Sequence, residues 1–303
     1  MHKITVKQNE SELLNMLAAQ RQIYADGKRM TMYMFIASVV LPLLVVFIKP
    51  ILKNLNAIYL ILNFTPIVCT IIAYLLKNNI ARKKTIAATI QNRFDYILFG
   101  FSWDEKKQGD MSEIQAWIQK GLRKYMKSHS DMEIFRNWYP IDDSTIELEK
   151  SRILCQKCNV YWDVELKEKY KLLMTVTMAV LLVVVTIFAA VNYNATVFDF
   201  CMNVLLPAVP LFFFLYTTIV SISQDIDRLK NLKGQIVNVL ELMGEPGIRS
   251  DVLTKQSEYM QSQIFEHRKS GALVLNFIYN LLKEQQESVS KNNATRDIFD
   301  ISK

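Results

Sequence analysis

Four stretches of this 303-residue chain are apolar almost without interruption, and the segments between them are as charged as a soluble protein. The longest pair fills Leu172–Ile222. Its first arm, Leu172–Val191 (LLMTVTMAVLLVVVTIFAAV), carries no charge, and the only charge in its second, Val197–Ile222, is Asp199 beside the connecting Asn192–Thr196. Thr31–Ile48 and Ala57–Leu76 form the other pair, joined by a short loop with Lys49, Pro50 and Lys53. A hydrocarbon core about 30 Å thick needs roughly 20 helical residues, and it offers backbone groups no water, so each arm is expected to be a membrane helix. Both turns are too short to hold a domain. The pattern therefore predicts two membrane hairpins, at 31–76 and 172–222.

The polar segments read as helices too. In residues 1–30, Leu13, Leu14, Leu17, Ala18 and Tyr24 recur at helical spacing, and Ser11 is in place to cap a helix running into the first span. In residues 77–171, Ile86, Ile90, Phe94, Ile97 and Leu98 continue the second span as an amphipathic stripe. Asp110 with Glu113 has the spacing of a capping box opening a helix at Met111–Lys127. From about Ser144 a long helix can lead straight into the third span. Residues 223–303 form a helical tail interrupted by Gly244-Glu245-Pro246-Gly247. The fold expected is an all-α membrane protein: four transmembrane helices in two hairpins, a cytoplasmic helical domain and a helical C-terminal tail.

Charge orients this plan. Arg21, Lys28 and Arg29 precede the first span, and Lys77, Arg82, Lys83, Lys84 and Arg93 follow the second. The third and fourth spans are flanked in the same way, by Arg152 to Lys171 and by Arg228, Lys230 and Lys233. The turns carry only Lys49 and Lys53, so both termini and the central segment are expected in the cytoplasm of a bacterial inner-membrane protein. The same distribution accounts for the net charge of +7, and no DNA binding is expected from it. With 8 Gly and 7 Pro in the whole chain, turn-rich β architectures are disfavoured. The N-terminus shows no apolar signal core, so the first span is expected to direct insertion.

Chemistry is sparse. Cys155-Gln156-Lys157-Cys158 has metal-like spacing, but the three histidines (His2, His129, His267) are scattered, and no metal or other cofactor is expected. Two cysteines on a buried helix face is the favoured reading. Phosphate-cradling glycine loops and hydrolase motifs are missing, so no enzyme is expected. Among polar residues inside the spans, Asn63 and Asn203, each well inside its span, are the candidates for lining a pore; hydrogen bonding between helices is the plainer account. Trp138, Arg152, Lys157 and Trp162 are candidates for an aromatic and cationic ligand site, against packing of the soluble core.

Those same residues carry a resemblance. Asn137-Trp138-Tyr139-Pro140, then Ser151–Lys157 (SRILCQK) and Tyr161-Trp162-Asp163 ahead of a span, resemble the S-4TM family, four-transmembrane effectors associated with bacterial oligonucleotide cyclases. Leu17–Tyr24 (LAAQRQIY), Phe99–Trp103 (FGFSW) and Phe277–Leu282 (FIYNLL) agree with it, so the resemblance covers nearly the whole chain. Cys158, and Leu275-Asn276 before Phe277, depart from the family pattern. The resemblance implies a pore-forming effector of antiphage signalling, triggered by a cyclic oligonucleotide and ending in abortive infection. Four thin helices enclose no wide water path, so such a pore requires a homo-oligomer. The alternative is a non-conducting anchor or scaffold that recruits a cytoplasmic protein partner.

Overall fold

The computed structural model describes residues 3–49, 51–52, 55–141, 143, 146–191, 196–243 and 248–274. The Asn192–Ala195 turn, the Gly244–Gly247 breaker, and Phe277–Leu282 with the rest of the tail beyond residue 274 lie outside the described residues. The described residues are 85% helical and include no strands. Its helices are α1 (Ile4–Lys7), α2 (Ser11–Phe35), α3 (Leu41–Ile48), α4 (Asn56–Phe99), α5 (Glu105–Gln108), α6 (Met111–Met126), α7 (Leu148–Val191), α8 (Val197–Phe200), α9 (Leu206–Leu242) and α10 (Ser250–Ser270). Single π-turns, Ile36–Val40 and Cys201–Leu205, join α2 to α3 and α8 to α9.

Four continuous helical runs of 38, 44, 44 and 46 residues are long and apolar enough to cross a membrane. At 1.5 Å per residue a 44-residue helix is about 66 Å long, roughly twice the hydrocarbon thickness. Each run is therefore half membrane span and half domain scaffold, and no flexible linker separates the two. The span halves face outward with apolar side chains: Leu60, Ile61, Val68, Val180, Val183 and Phe213 are all exposed. Burying them in lipid satisfies surface that water would reject.

Antiparallel pairing holds each hairpin. Lys7 Nζ of α1 donates to the Ile97 carbonyl at 2.7 Å, while Gly27 of α2 lies against Lys83, so the N-terminal helices together run opposite to α4. In the second hairpin Lys233 meets Tyr161 and Asp225 meets Lys167, placing α7 antiparallel to α9. The hairpins meet through Phe35 and Phe214, edge to face at 5.9 Å, and Phe47 and Phe188 at 5.2 Å.

Both π-turns precede a proline. Leu41 N–H bonds the Ile36 carbonyl and Leu206 N–H the Cys201 carbonyl, each five residues back, with Pro42 and Pro207 next in sequence. The widened turn accommodates a ring that would otherwise strike the preceding turn. Pro66, by contrast, sits inside an unbroken α4. Ser11 begins α2 instead of capping it; the N-cap position is Glu10, and its side chain makes no capping bond. Asp110 does cap α6, accepting from the Ser112 and Glu113 amides. The reciprocal box forms elsewhere: Thr196 and Asp199 cap α8 reciprocally, which gives the lone acid of the fourth apolar run a structural task.

The soluble part is built on α2, whose buried Leu13, Leu17, Ala18, Ala19 and Ile23 face α4 and α6. Helix α6 approaches so closely that a Cβ on Gly121 would lie 2.9 Å from the Ala19 carbonyl and 3.0 Å from its Cβ. A glycine inside a helix ordinarily costs about 0.5–1 kcal/mol relative to alanine. Gly121→Ala is nevertheless expected to destabilise, by roughly 1–3 kcal/mol through overpacking. Gly234→Ala, where nothing lies within 4 Å, should stabilise by about 0.5–1 kcal/mol. Denaturant or thermal unfolding of the two variants in detergent checks the opposite signs.

Candidate functional site

The four candidate ligand residues do not converge. Arg152, Lys157 and Trp162 follow one another at intervals of five along α7, and five residues rotate a helix by about 140°, so the three fan around it. Arg152 is buried as a tie: Nε donates to the Phe99 carbonyl at 2.7 Å, Nη1 to Thr254 Oγ1 at 3.2 Å, and the guanidinium lies 5.1 Å over Phe101. It thereby closes the C-terminus of α4, which ends on Gly100 in the left-handed region (φ 70°) where a side chain would be strained. Burial holds its pKa below the usual value. Lys157 lies 5.2 Å from the Tyr161 ring, whose centroid is 4.2 Å from Lys233 of α9. Trp138 packs, half-buried, against the core of the soluble part, and Trp162 is half-exposed. Cys155 is buried in that core and Cys158 is half-buried.

What the structure brings together is a set of buried polar groups that sequence reasoning did not nominate. Asp95 of α4 is fully buried; its Oδ1 accepts from Tyr139 Oη at 2.7 Å, and its Oδ2 from Gln261 Nε2 at 2.9 Å and Arg268 Nη1 at 2.5 Å. Burial opposes the Arg268 charge, but Asp95 together with Tyr139 and Tyr24 outweighs it and the guanidinium pKa is raised. Gln261 also donates to Asn92 Oδ1, while Gln156 of α7 bonds the Ser257 carbonyl, accepts from its hydroxyl and reaches Gln261. One connected network thus runs through α4, α7 and α10. Tyr139 enters it from a loop held by side-chain amides: Gln8 bonds both the Tyr139 amide and its carbonyl, and Asn9 exchanges bonds with Asn137 (φ 52°). Asp163 of α7 lies 3.4 Å from His267 Nε2, and although burial opposes its charge, that imidazole holds its carboxyl below the usual range.

A second cluster gathers where the helices leave the membrane. Asp225 of α9, fully buried three residues past the fourth apolar run, accepts from Lys167 Nζ at 2.5 Å, from the Ala272 amide at 2.6 Å and from Arg228. Lys167 Nζ also donates to the Ala272 carbonyl at 3.1 Å. From α4, Lys84 donates to the Ser270 and Gly271 carbonyls at 2.9 and 2.8 Å, and burial pulls its pKa down to about 8. A Cβ at Gly271 would lie 2.8 Å from the His267 carbonyl and 2.9 Å from Lys167 Nζ, so glycine suits this close approach. The end of α10 is thus clamped by the segments of α4, α7 and α9 that lie just outside the second, third and fourth spans.

Of the two span candidates, Asn203 Oδ1 accepts from Tyr59 Oη at 2.6 Å, a bond between the hairpins. Asn63, one turn beyond Tyr59 on α4, has a buried Oδ1 with no donor among the described residues. Asp95 was open to discovery as a lone acid in an otherwise apolar helical stretch (FDYILF), a signal that outranks aromatic proximity when burial is expected, whereas Asp225 lies in a polar stretch beside Asp227 and Arg228 (SISQDIDRL) and gives no such signal.

The profile of a family described as SMODS-associating 4TM effector domain matches residues 2–296. A protein of Bacillus cereus (strain VD146) named "Probable CBASS effector molecule" is 22% identical over 288 residues, covering 93% of each chain. No solved structure matches.

Proposed function

We infer the function from the premise that the chain belongs to the SMODS-associating 4TM effector family, matched over nearly its whole length. It acts as the effector of a cyclic-oligonucleotide antiphage system, seated in the bacterial inner membrane with both termini and the helical domain in the cytoplasm. A cyclic nucleotide arising in the infected cell binds the helical domain, the protein permeabilises the membrane as a homo-oligomer, and the cell dies before phage are released. The observation that carries this reading is the clamp on residues 270–272. Through Lys84, Lys167 and Asp225 one short segment at the end of α10 holds three span-bearing helices, so a change in how α10 sits on the domain reaches the spans without a flexible linker. Buried ties fix α10 along its length as well, Gln156 of α7 holding Ser257 and Gln261, and Asp95 of α4 holding Gln261 and, beside the clamp, Arg268.

The test is dye release from liposomes carrying the purified protein, challenged with a panel of cyclic di- and trinucleotides. Release that depends on one member is the expected result; identical behaviour across the panel would sink direct sensing. The Tyr59–Asn203 bond favours a second reading, because hydrogen bonds between hairpins are what a non-conducting anchor needs. An anchor should hold its contents under every member of the panel, and should retain a cytoplasmic partner through the helical domain.

A further inference from the structure

At the end of the bundle remote from the helical domain, one cation is held dry. Lys49 follows α3 directly, and its surface is 0% exposed. Among the described residues no carboxylate pairs with it. Its Nζ donates to the Met202 carbonyl and lies 5.0 Å from the Tyr59 ring, whose hydroxyl in turn bonds Asn203. The acceptor is available for a definite reason. Leu206 N–H bonds the Cys201 carbonyl in the five-residue register of the π-turn, and the next amide in that register, due at Met202, would be that of Pro207, which has no N–H. Lys49 thus completes a backbone hydrogen bond that proline removes from the neighbouring hairpin.

This is a thin set of partners for an ammonium. A carbonyl dipole and an aromatic face offset only part of the lost hydration, and a charge inside a membrane protein ordinarily faces water or an opposite charge. Water entering between the hairpins would hydrate Lys49, and the contact would be exchanged for solvent. In a homo-oligomer each subunit presents the same lysine, and a ring of lysines across a water path favours anions.

Resting on the permeabilising reading above, we propose that Lys49 is dry in the closed protein and hydrated in the open one, where it sets the path's preference for anions. The experiment is reversal potential in planar bilayers under a KCl gradient, with the cyclic di- and trinucleotide panel and applied voltage of either sign as stimuli. Wild-type protein should reverse towards the chloride potential. Lys49→Arg should keep that preference, whereas Lys49→Met should lose it and open less readily, its melting temperature in detergent showing that it folds. Cation preference in the wild type, or equal selectivity in Lys49→Met, overturns the proposal and leaves permeabilisation standing. A second measurement needs no current: acetylation of Lys49 by a water-soluble amine reagent, located by peptide mass spectrometry. Reactivity should rise under the stimulus that opens the protein. Silent bilayers together with an unreactive Lys49 under every stimulus overturn both readings.

Discussion

Asp225→Asn is expected to lower the stability of the protein by about 3–5 kcal/mol, the usual cost of removing one member of a buried ion pair. Lys167 and Asp225 are 5% and 0% exposed at their side chains, so solvent cannot take over the role of the lost partner. Asparagine keeps one carbonyl oxygen against the Lys167 ammonium, the Ala272 amide and the Arg228 guanidinium, and it turns an amide donor towards donors. Burial opposes the Asp225 charge, but Lys167, the Ala272 amide and His267 together outweigh it and the carboxyl stays below its usual range. Chemical denaturation in detergent measures the loss. If the clamp holds the spans closed, the same variant should also leak dye from liposomes without any nucleotide. Wild-type tightness with wild-type triggering would show that the clamp is scaffold alone. The Lys167→Met/Asp225→Leu double variant should recover most of the stability, short of the Ala272 amide left without its acceptor.

The membrane architecture was legible in the sequence because it rests on a strong, local signal. Twenty uncharged residues admit one conformation in lipid, and Leu172–Val191 needs no context to be read. The Asp110 cap was legible for the same reason, since its partners are two and three residues away. Other features depend on partners far along the chain. Asp95 bonds Arg268 across 173 positions and Tyr139 across 44, and no periodicity connects them. Trp138, Arg152, Lys157 and Trp162 were grouped by closeness in sequence, whereas a helix separates residues five apart. The π-turns were not legible because they depend on which carbonyl a proline leaves unbonded, and hydropathy does not register that. Tyr139 illustrates the limit: its motif was noted, but its burial follows from Gln8 and Asn9, more than a hundred residues earlier.

Asp95 and Arg268 give the sharpest test of the buried network, because their single losses should be unequal. Asp95→Leu strands the Arg268 guanidinium, whose side chain is 8% exposed, and removes the acceptor of Tyr139 and Gln261, so a cost of about 3–5 kcal/mol is expected. Arg268→Met leaves Asp95 its bonds from Tyr139 and Gln261 and should cost less. Arg268 Nη2 is already without an acceptor among the described residues, so its removal loses one charged hydrogen bond and not two. In the Asp95→Leu/Arg268→Met double variant no charge is stranded, and the double-mutant cycle should return a coupling of about 2–3 kcal/mol. A sum additive within about 0.5 kcal/mol would mean that the pair does not hold α10 to α4. The cycle also separates stability from signalling. A double variant that regains stability but no longer leaks in response to nucleotide would locate the lever in the charges, whereas one that regains both would locate it in the packing of α10.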